Sequence, residues 1–344
     1  MTANWQPIEK CLDEANRIVL TTHASPDGDG VGSEIGLYYF LRARGKTVHI
    51  LNPTPMGSEY NFLDGGGNVY VYKPVQHLHL IQNADAFIIL DIGDYSRLQK
   101  VGEHIKQAAG KTICIDHHPQ TEHEFDFEII DVNAAATGMM VYDLIKHINP
   151  DALNFKIAQA LYCALMTDTG SFRFSNTNAA THKMAMELLA FGVEPHTVFR
   201  NVYESSSIER MKLLGKIIER LEFTSDGKIA YFPVTRDMQK SVGARSQDID
   251  GFTDFIRTLR DIEVAVMFHE LNHNQTRINF RSKGHVVINQ VAKKFDGGGH
   301  EFAAGAVIDK PLKKAMRLVL RELEDVVDDH IDQQYDRELE YLNS

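Results

Sequence analysis

The chain has 344 residues, roughly two domains at about 150 residues each, and its 43% hydrophobic and 24% charged content is that of a globular protein with a sizeable core. No apolar run reaches the length of about 18 residues that a membrane-spanning helix needs, and Met1-Thr2-Ala3-Asn4-Trp5-Gln6 lacks the basic and apolar stretches of a signal peptide. Of the net charge of −11, −8 falls in the stretch Glu322 to Ser344, which reads as a solvated helix end; the nearly neutral remainder argues against a broad basic track for long nucleic acid.

Along the first half, strand-like and helix-like runs alternate. Arg17 to Thr22 reads as a buried strand, Gly32 to Arg44 as a helix and Lys46 to Leu51 as a strand. The short runs Val69 to Tyr72, Ala86 to Leu90 and Lys111 to Ile115 follow, and Thr137 to about Leu189 reads as mainly helical, with caps at Thr137 and Asn178. Such alternation predicts an α/β domain: a parallel sheet covered by helices on both faces. The composition changes over Gly192 to Ser207, where the linker is expected, dividing the chain into 1–191 and 208–344. A helix around Arg210 to Leu221 opens the second part. Strands at Lys228 to Val234, Ile262 to His269, Thr276 to Ser282 and Ala303 to Ile308, with helices at Val286 to Lys293 and from Pro311, predict a smaller α+β domain.

Two motifs mislead. Gly28-Asp29-Gly30-Val31-Gly32-Ser33 follows a strand and opens a helix like a dinucleotide fingerprint, but Ser33 occupies the third glycine position and Asp27 and Asp29 would repel a pyrophosphate. His269-Glu270-Leu271-Asn272-His273 matches the zincin pattern, which requires both histidines on one helical face. Here Val264 to Phe268 reads as strand and Asn272-His273-Asn274 as a hairpin turn, so the two imidazoles should diverge.

The informative signal is distributed. His23, Asp27 and Asp29 follow one apolar run, Asp91 follows a second, Asp116-His117-His118 a third, and Asp168 follows the apolar stretch Ile157 to Met166. In an open parallel sheet, ligands bind beyond the carboxyl ends of the strands. Asp27, Asp29, Asp91 and Asp168 would bring four negative charges, and His23 and His117 two imidazoles, a set that balances two divalent cations. Mixed oxygen and nitrogen donors suit manganese or a similar ion. The three scattered cysteines, Cys11, Cys114 and Cys163, exclude a cysteine zinc knuckle or disulfide scaffold and fit a reducing cytoplasm. Two ions about 3.5–4 Å apart activate a water and clamp both oxygens of an in-line phosphoryl displacement. In the second part, Asp296-Gly297-Gly298-Gly299-His300 offers glycine amides to an oxyanion, and Arg281 at a strand end can fork onto phosphate.

Asp116-His117-His118, preceded by His23-Ala24-Ser25-Pro26-Asp27-Gly28-Asp29-Gly30, resembles the DHH phosphoesterase superfamily, and Asp296 to His300 followed by Phe302-Ala303-Ala304-Gly305 resembles its DHHA1 domain. The layout is similar to the NrnA group of bifunctional oligoribonucleases and 3′-phosphoadenosine 5′-phosphate phosphatases. The resemblance implies that His23 and Asp27 bind one manganese, that Asp29, His117 and Asp168 bind the other, and that Asp91 bridges them. It further implies that His118 contacts the scissile phosphate, while Arg281, His300 and the amides of Gly297, Gly298 and Gly299 hold the distal nucleotide or its terminal phosphate. Asp296 stands where these relatives often carry a further glycine, and Asn279 where a serine is common.

The expectation is therefore a cytoplasmic, manganese-dependent two-metal phosphodiesterase acting on short oligonucleotides, with 3′-phosphatase activity on 3′-phosphoadenosine 5′-phosphate. It acts on no long nucleic acid and no membrane, and a homodimer is left open. The competing readings are cyclic di-AMP hydrolysis, processive exonuclease or pyrophosphatase activity, and a nucleotide-sensing module without turnover; loss of a metal ligand would mark the last, and all six are present.

Overall fold

The computed structural model describes residues 3–119 and 125–343, with backbone alone at 247 and from 328 onward. The chain divides into two compact units, 1–205 and 206–344. The first is built on a six-stranded sheet of β1 (Arg17–Thr21), β2 (Thr47–Asn52), β3 (Val69–Val71), β4 (Ala86–Leu90), β5 (Lys111–Asp116) and β6 (Phe127–Ile130). All five pairings are parallel, in the order β3-β2-β1-β4-β5-β6.

Burial explains why these strands read as unbroken apolar runs. Ile18, Leu20, Ile88, Leu90, Ile113 and Ile115 face a core shared with the helices Gly28–Ala43, Thr137–Ile148 and Phe155–Asp168. Val19, Phe87, Ile89 and Cys114 face a second core with the helices Pro74–Gln82 and Gln99–Ile105. A strand buried on both faces has no polar alternation to show. The edge strand β6 has half-buried residues throughout and was not anticipated. The expected helix start at Gly32 also moves: Asp27 caps the helix, whose first residue is Gly28. Asn178 caps the helix Ala179–Leu189 as expected, but Thr137 is no cap, because it is the first helical residue after Ala136. The helix Pro195–Tyr203, in the stretch expected as linker, packs on the first core through Val198.

In the second unit, β7 (Glu222–Phe223), β8 (Ile229–Val234), β9 (Val264–Asn272), β10 (Gln275–Ser282), β11 (Gly298–His300) and β12 (Ala303–Ile308) form a mixed sheet. Its order is β11-β12-β10-β9-β8-β7, with β8 and β9 parallel and the other pairs antiparallel. One face packs on Val319, Leu323 and Val327 of the helix Leu312–Asn343. The expected solvated acidic end lies on that helix, and its side chains from Asp328 onward lie outside the described residues. Cys11, Cys114 and Cys163 are buried. Among the described residues, no helix is long and apolar enough to cross a membrane.

Candidate metal centre

The order of the first sheet reverses between β1 and β4, and a crevice opens beyond the carboxyl ends of strands at such a switch point. Thr21 pairs with Ile89, so the chain beyond β1 reaches His23 where the chain beyond β4 reaches Asp91. Leu90 pairs with Ile115, which places Asp116 and His117 alongside. Non-local register thus gathers residues far apart in sequence.

Each group is held by its neighbours. Asp27 Oδ1 accepts from the amides of Asp29 and Gly30, at 3.1 and 3.2 Å, and Oδ2 stands 3.7 Å from His23 Nε2. Asp29, 1% exposed, accepts from the amides of Thr137 at 2.6 Å and Gly138 at 2.8 Å, at a helix N-terminus that favours negative charge. Ser33 Oγ donates to it at 3.3 Å. Asp91 adopts φ 56°, a left-handed conformation that aspartate tolerates better than most residues, and Thr137 Oγ1 donates to its Oδ1 at 3.2 Å. Asn176 Nδ2 donates to both the Ala135 and the Asp168 carbonyls, at 3.0 and 3.1 Å, tying the end of the helix Phe155–Asp168 to the residues just before the helix whose amides hold Asp29.

The imidazoles converge on these carboxylates. His117 Nδ1 lies 3.2 Å from the Ala134 carbonyl; donating there leaves its Nε2 lone pair facing Asp29, Asp91 and Asp168, at 3.7, 3.6 and 3.6 Å. His23 Nδ1 lies 2.8 Å from the Ala24 carbonyl, and its Nε2 is 3.7 Å from Asp27 and 3.8 Å from Asp91. These separations are too long for hydrogen bonds. They suit two donors each about 2 Å from a shared ion, which stand roughly 3–4 Å apart. His23, Asp27 and Asp91 form one group able to hold an ion, Asp29, His117 and Asp168 a second, and Asp91, His117 and His118 a third.

The electrostatics point the same way. Burial pushes Asp29 well above the usual carboxylate range, and the charges of Asp91, Asp168 and Asp27 push it further. Asp168 rises to about 7 through burial, partly opposed by His117 and reinforced by Asp91. So much negative charge in one crevice calls for cations.

Asp116 was not singled out as a site residue, and it turns away from this crevice. Fully buried, it accepts from the amides of Ile92 and Gly93 at 3.1 and 2.7 Å, and from the amide and Nδ1 of His118 at 3.0 and 2.7 Å. His118 rises to about 10: burial opposes its charge, but the Asp116 and Asp91 carboxylates outweigh it. Arg97 is a second unforeseen member. Its Nη2 is 2.7 Å from His23 Nδ1, its Nη1 donates to the Ile92 carbonyl at 3.1 Å, and its own carbonyl accepts from the Ala24 amide at 2.9 Å. It therefore joins the loop after β1 to the loop after β4.

The second-unit candidates are arranged differently. The glycine run is not a free loop: Gly298, Gly299 and His300 form edge strand β11 against Gly305, Ala304 and Ala303. Packing demands two of these glycines, since a side chain at Gly297 would strike Gly305 and one at Gly299 would strike the Ala303 carbonyl. Asp296 adopts φ 56°, which accounts for glycine being favoured at its position. Arg281 Nε donates to both oxygens of Asp254, at 3.1 and 3.2 Å. The zincin-like residues separate as expected: His269 and Glu270 lie on β9 and His273 in the turn beyond it, and His269 Nε2 is 3.1 Å from Gln239 Oε1.

Residues 17–165 match the DHH family, N-terminal domain, and residues 209–329 the DHHA1 domain. The bifunctional oligoribonuclease and PAP phosphatase NrnA of Thermus thermophilus is 30% identical over 319 residues, 89% of this chain and 90% of that one. The chain belongs to this DHH/DHHA1 family. The NrnA of Bacillus subtilis is 28% identical over 296 residues, 85% of this chain and 89% of its own. Among solved structures, an exopolyphosphatase-related protein from Bacteroides fragilis superposes with a TM-score of 0.88 at 27% identity, covering 93% of this chain and 95% of that one.

Proposed function

We propose that the protein is a two-metal phosphodiesterase that hydrolyses short oligonucleotides to 5′-mononucleotides and removes the 3′-phosphate of 3′-phosphoadenosine 5′-phosphate. The convergence of four carboxylates and two imidazoles on one crevice carries this reading, and the likeness to NrnA proteins over most of the chain directs it to these substrates. His23 and Asp27 would hold one cation, Asp29, His117 and Asp168 the other, and Asp91 both. Mixed oxygen and nitrogen donors favour manganese. Two such ions supply Lewis acidity, an activated water and a clamp on the oxygens of an in-line displacement.

The chain's own residues do the rest. Asp91 directs its two oxygens to different histidines, Oδ1 toward His117 and Oδ2 toward His23, an arrangement that suits a shared ligand. His118, kept charged by Asp116, supplies a positive hydrogen-bond donor for the scissile phosphate. The amides of Thr137 and Gly138 fix Asp29, and the Ala24 carbonyl at Nδ1 orients the His23 ring. Arg281, His300 and the glycine amides would hold the terminal phosphate or distal nucleotide. The three buried, scattered cysteines suit a reducing compartment such as the cytoplasm.

A substrate panel of pApA, cyclic di-AMP, a five-mer, 3′-phosphoadenosine 5′-phosphate and pyrophosphate, each assayed with manganese, tests the proposal. The expected order places pApA first, with release of phosphate from 3′-phosphoadenosine 5′-phosphate. Preference for pyrophosphate, or turnover of cyclic di-AMP alone, would overturn it.

A further inference from the structure

The four carboxylates of the metal centre are not equally enclosed. Asp29 and Asp91 are closed off, whereas the side chains of Asp27 and Asp168 are 59% and 29% exposed. The crevice therefore opens along the side of Asp27 and Asp168, and a substrate has to enter past them. The segment after Asp168 has a rare backbone. Gly170, Ser171 and Phe172 adopt φ of 54°, 60° and 64°, a left-handed run that a bulky residue such as Phe172 seldom enters. Such backbone persists only where its surroundings fix it, and it concentrates at binding and catalytic sites. Here the Ser171 amide donates to the Met166 carbonyl at 2.7 Å, the Phe174 amide donates to the Thr169 carbonyl at 3.0 Å, and the Phe172 ring stacks on His182 with centroids 5.4 Å apart.

This curl sets two exposed aromatic rings at the open side. Phe174 folds back over Gly170, where any side chain would strike its ring. Tyr203 comes from the last turn of the helix Pro195–Tyr203, which buries Val198 and leaves Phe199 and Tyr203 outward, one turn apart, with ring centroids 4.9 Å apart. The Tyr203 hydroxyl faces the Ser171 side chain, and Asp168 lies within its electrostatic reach. Tyr60 stands within the same reach of both Tyr203 and Asp27. All of these residues belong to the first unit. Core packing accounts for Val198 and Phe172, but it gives no reason to hold two exposed rings beside a metal ligand on a strained turn.

We propose that Tyr203 and Phe174 form a nucleobase subsite, which stacks the base of the nucleotide whose phosphate lies at the metal centre. This rests on the short-oligonucleotide reading and extends it to where a base is held. A base is joined through its sugar to the phosphate under attack, so the surface that receives it has to border the crevice, as these two rings do. Stacking on an aromatic ring needs a π face and no hydrogen-bond code. The subsite therefore adds grip without choosing among bases. Holding the base also orients the scissile phosphate, a contribution to rate as well as to binding.

Initial rates on pApA, on pUpU and on the two pApA analogues that lack one base test this, comparing the parent with Tyr203→Leu, Phe174→Leu and Tyr203→Phe. The readout is the ratio of kcat/KM with and without the base within each enzyme, together with the manganese bound by each purified protein. In the parent, loss of one of the two bases should cost roughly five- to hundredfold, the worth of one base stacked on aromatic side chains. Exchange of adenine for uracil should cost far less. Tyr203→Leu and Phe174→Leu should each lower the ratio severalfold with bound manganese unchanged, and Tyr203→Phe should keep it, since the ring remains. A parent indifferent to both base deletions would overturn the subsite and leave the short-oligonucleotide reading standing. So would leucine variants with an unchanged ratio or with manganese lost, because the rings would then only support the fold around Asp168. A parent that releases no mononucleotide from pApA would overturn that reading itself.

Discussion

Asp29 and Asp91 are each 1% exposed, and each is held by backbone or side-chain donors before any ligand arrives. Gly298, Gly299 and His300 lie exposed on an edge strand, and Arg281 is steadied by a single carboxylate. The first arrangement concentrates negative charge in a buried crevice and tolerates left-handed backbone at Asp91, a strain worth roughly 1–3 kcal/mol. The second presents donors to solvent with little preorganisation. A reaction centre must be built before the substrate binds, because its donors have to sit at fixed distances. A recognition surface can remain open, because its task is to select. The chemistry is therefore expected to break on single conservative changes in the first unit, and substrate preference on changes in the second.

The largest effect should come from Asp91→Asn. The amide keeps the shape but removes the charge that faces both His23 and His117, so turnover should fall by several orders of magnitude with the circular dichroism spectrum unchanged. Near-parental turnover in saturating manganese would remove Asp91 from the centre.

His117→Ala and His118→Ala sharpen the comparison within the crevice. His117 faces three carboxylates, whereas His118 is bound to Asp116. Metal analysis of the purified variants should show bound ion lost from His117→Ala and retained in His118→Ala, with turnover reduced in both. Equal metal loss would make His118 a ligand too.

Arg281→Ala tests the other side. It should lower dinucleotide hydrolysis roughly ten- to hundredfold and do far less to a small generic phosphodiester, which has no distal nucleotide to hold. Equal losses on both substrates would show that the second-unit surface plays no part in selection.

Parts of this arrangement are legible in the residues alone. Asp91 and His117 stand immediately beyond short apolar runs, and a ligating side chain at the end of a buried parallel strand has few other reasons to be there. Asp116 in the same motif could not be assigned, because its inward turn depends on amides at Ile92 and Gly93, in the loop of another strand. The amides of Thr137 and Gly138 carry no side-chain signature, and Arg97 reads as a surface cation until β1 and β4 are adjacent. Glycine is rare inside strands, so the run reads as a source of amides for an oxyanion; only the pairing of β11 with β12 reveals close packing as the reason for Gly297 and Gly299.

The smallest effect on turnover is expected one layer beneath the centre. Glu34 is fully buried. Its Oε2 accepts from Asn52 Nδ2 at 2.8 Å, while Asn52 Oδ1 accepts from the Thr22 amide at 3.3 Å, next to His23. Its Oε1 is enclosed and has no hydrogen-bond partner among the described residues. Burial raises Glu34 from the ordinary 4.5 to about 8, with the Asn52 bond pulling down and the Asp91 charge pushing up. Between those two values the unfolded chain has released the proton and the folded chain retains it. The proton bound on folding makes stability fall as pH rises through this window. Glu34→Gln fixes the neutral form: its carbonyl can still accept from Asn52, and there is no proton to lose. The variant should therefore gain on the parent steadily from pH 4.5 to 8 and hold a constant difference above. The gain is up to a few kcal/mol, or roughly 5–10 °C in Tm, with dinucleotide turnover nearly unchanged. Melting curves across that range decide the matter: a Tm difference that does not vary with pH would mean that Glu34 is ionised in the folded protein.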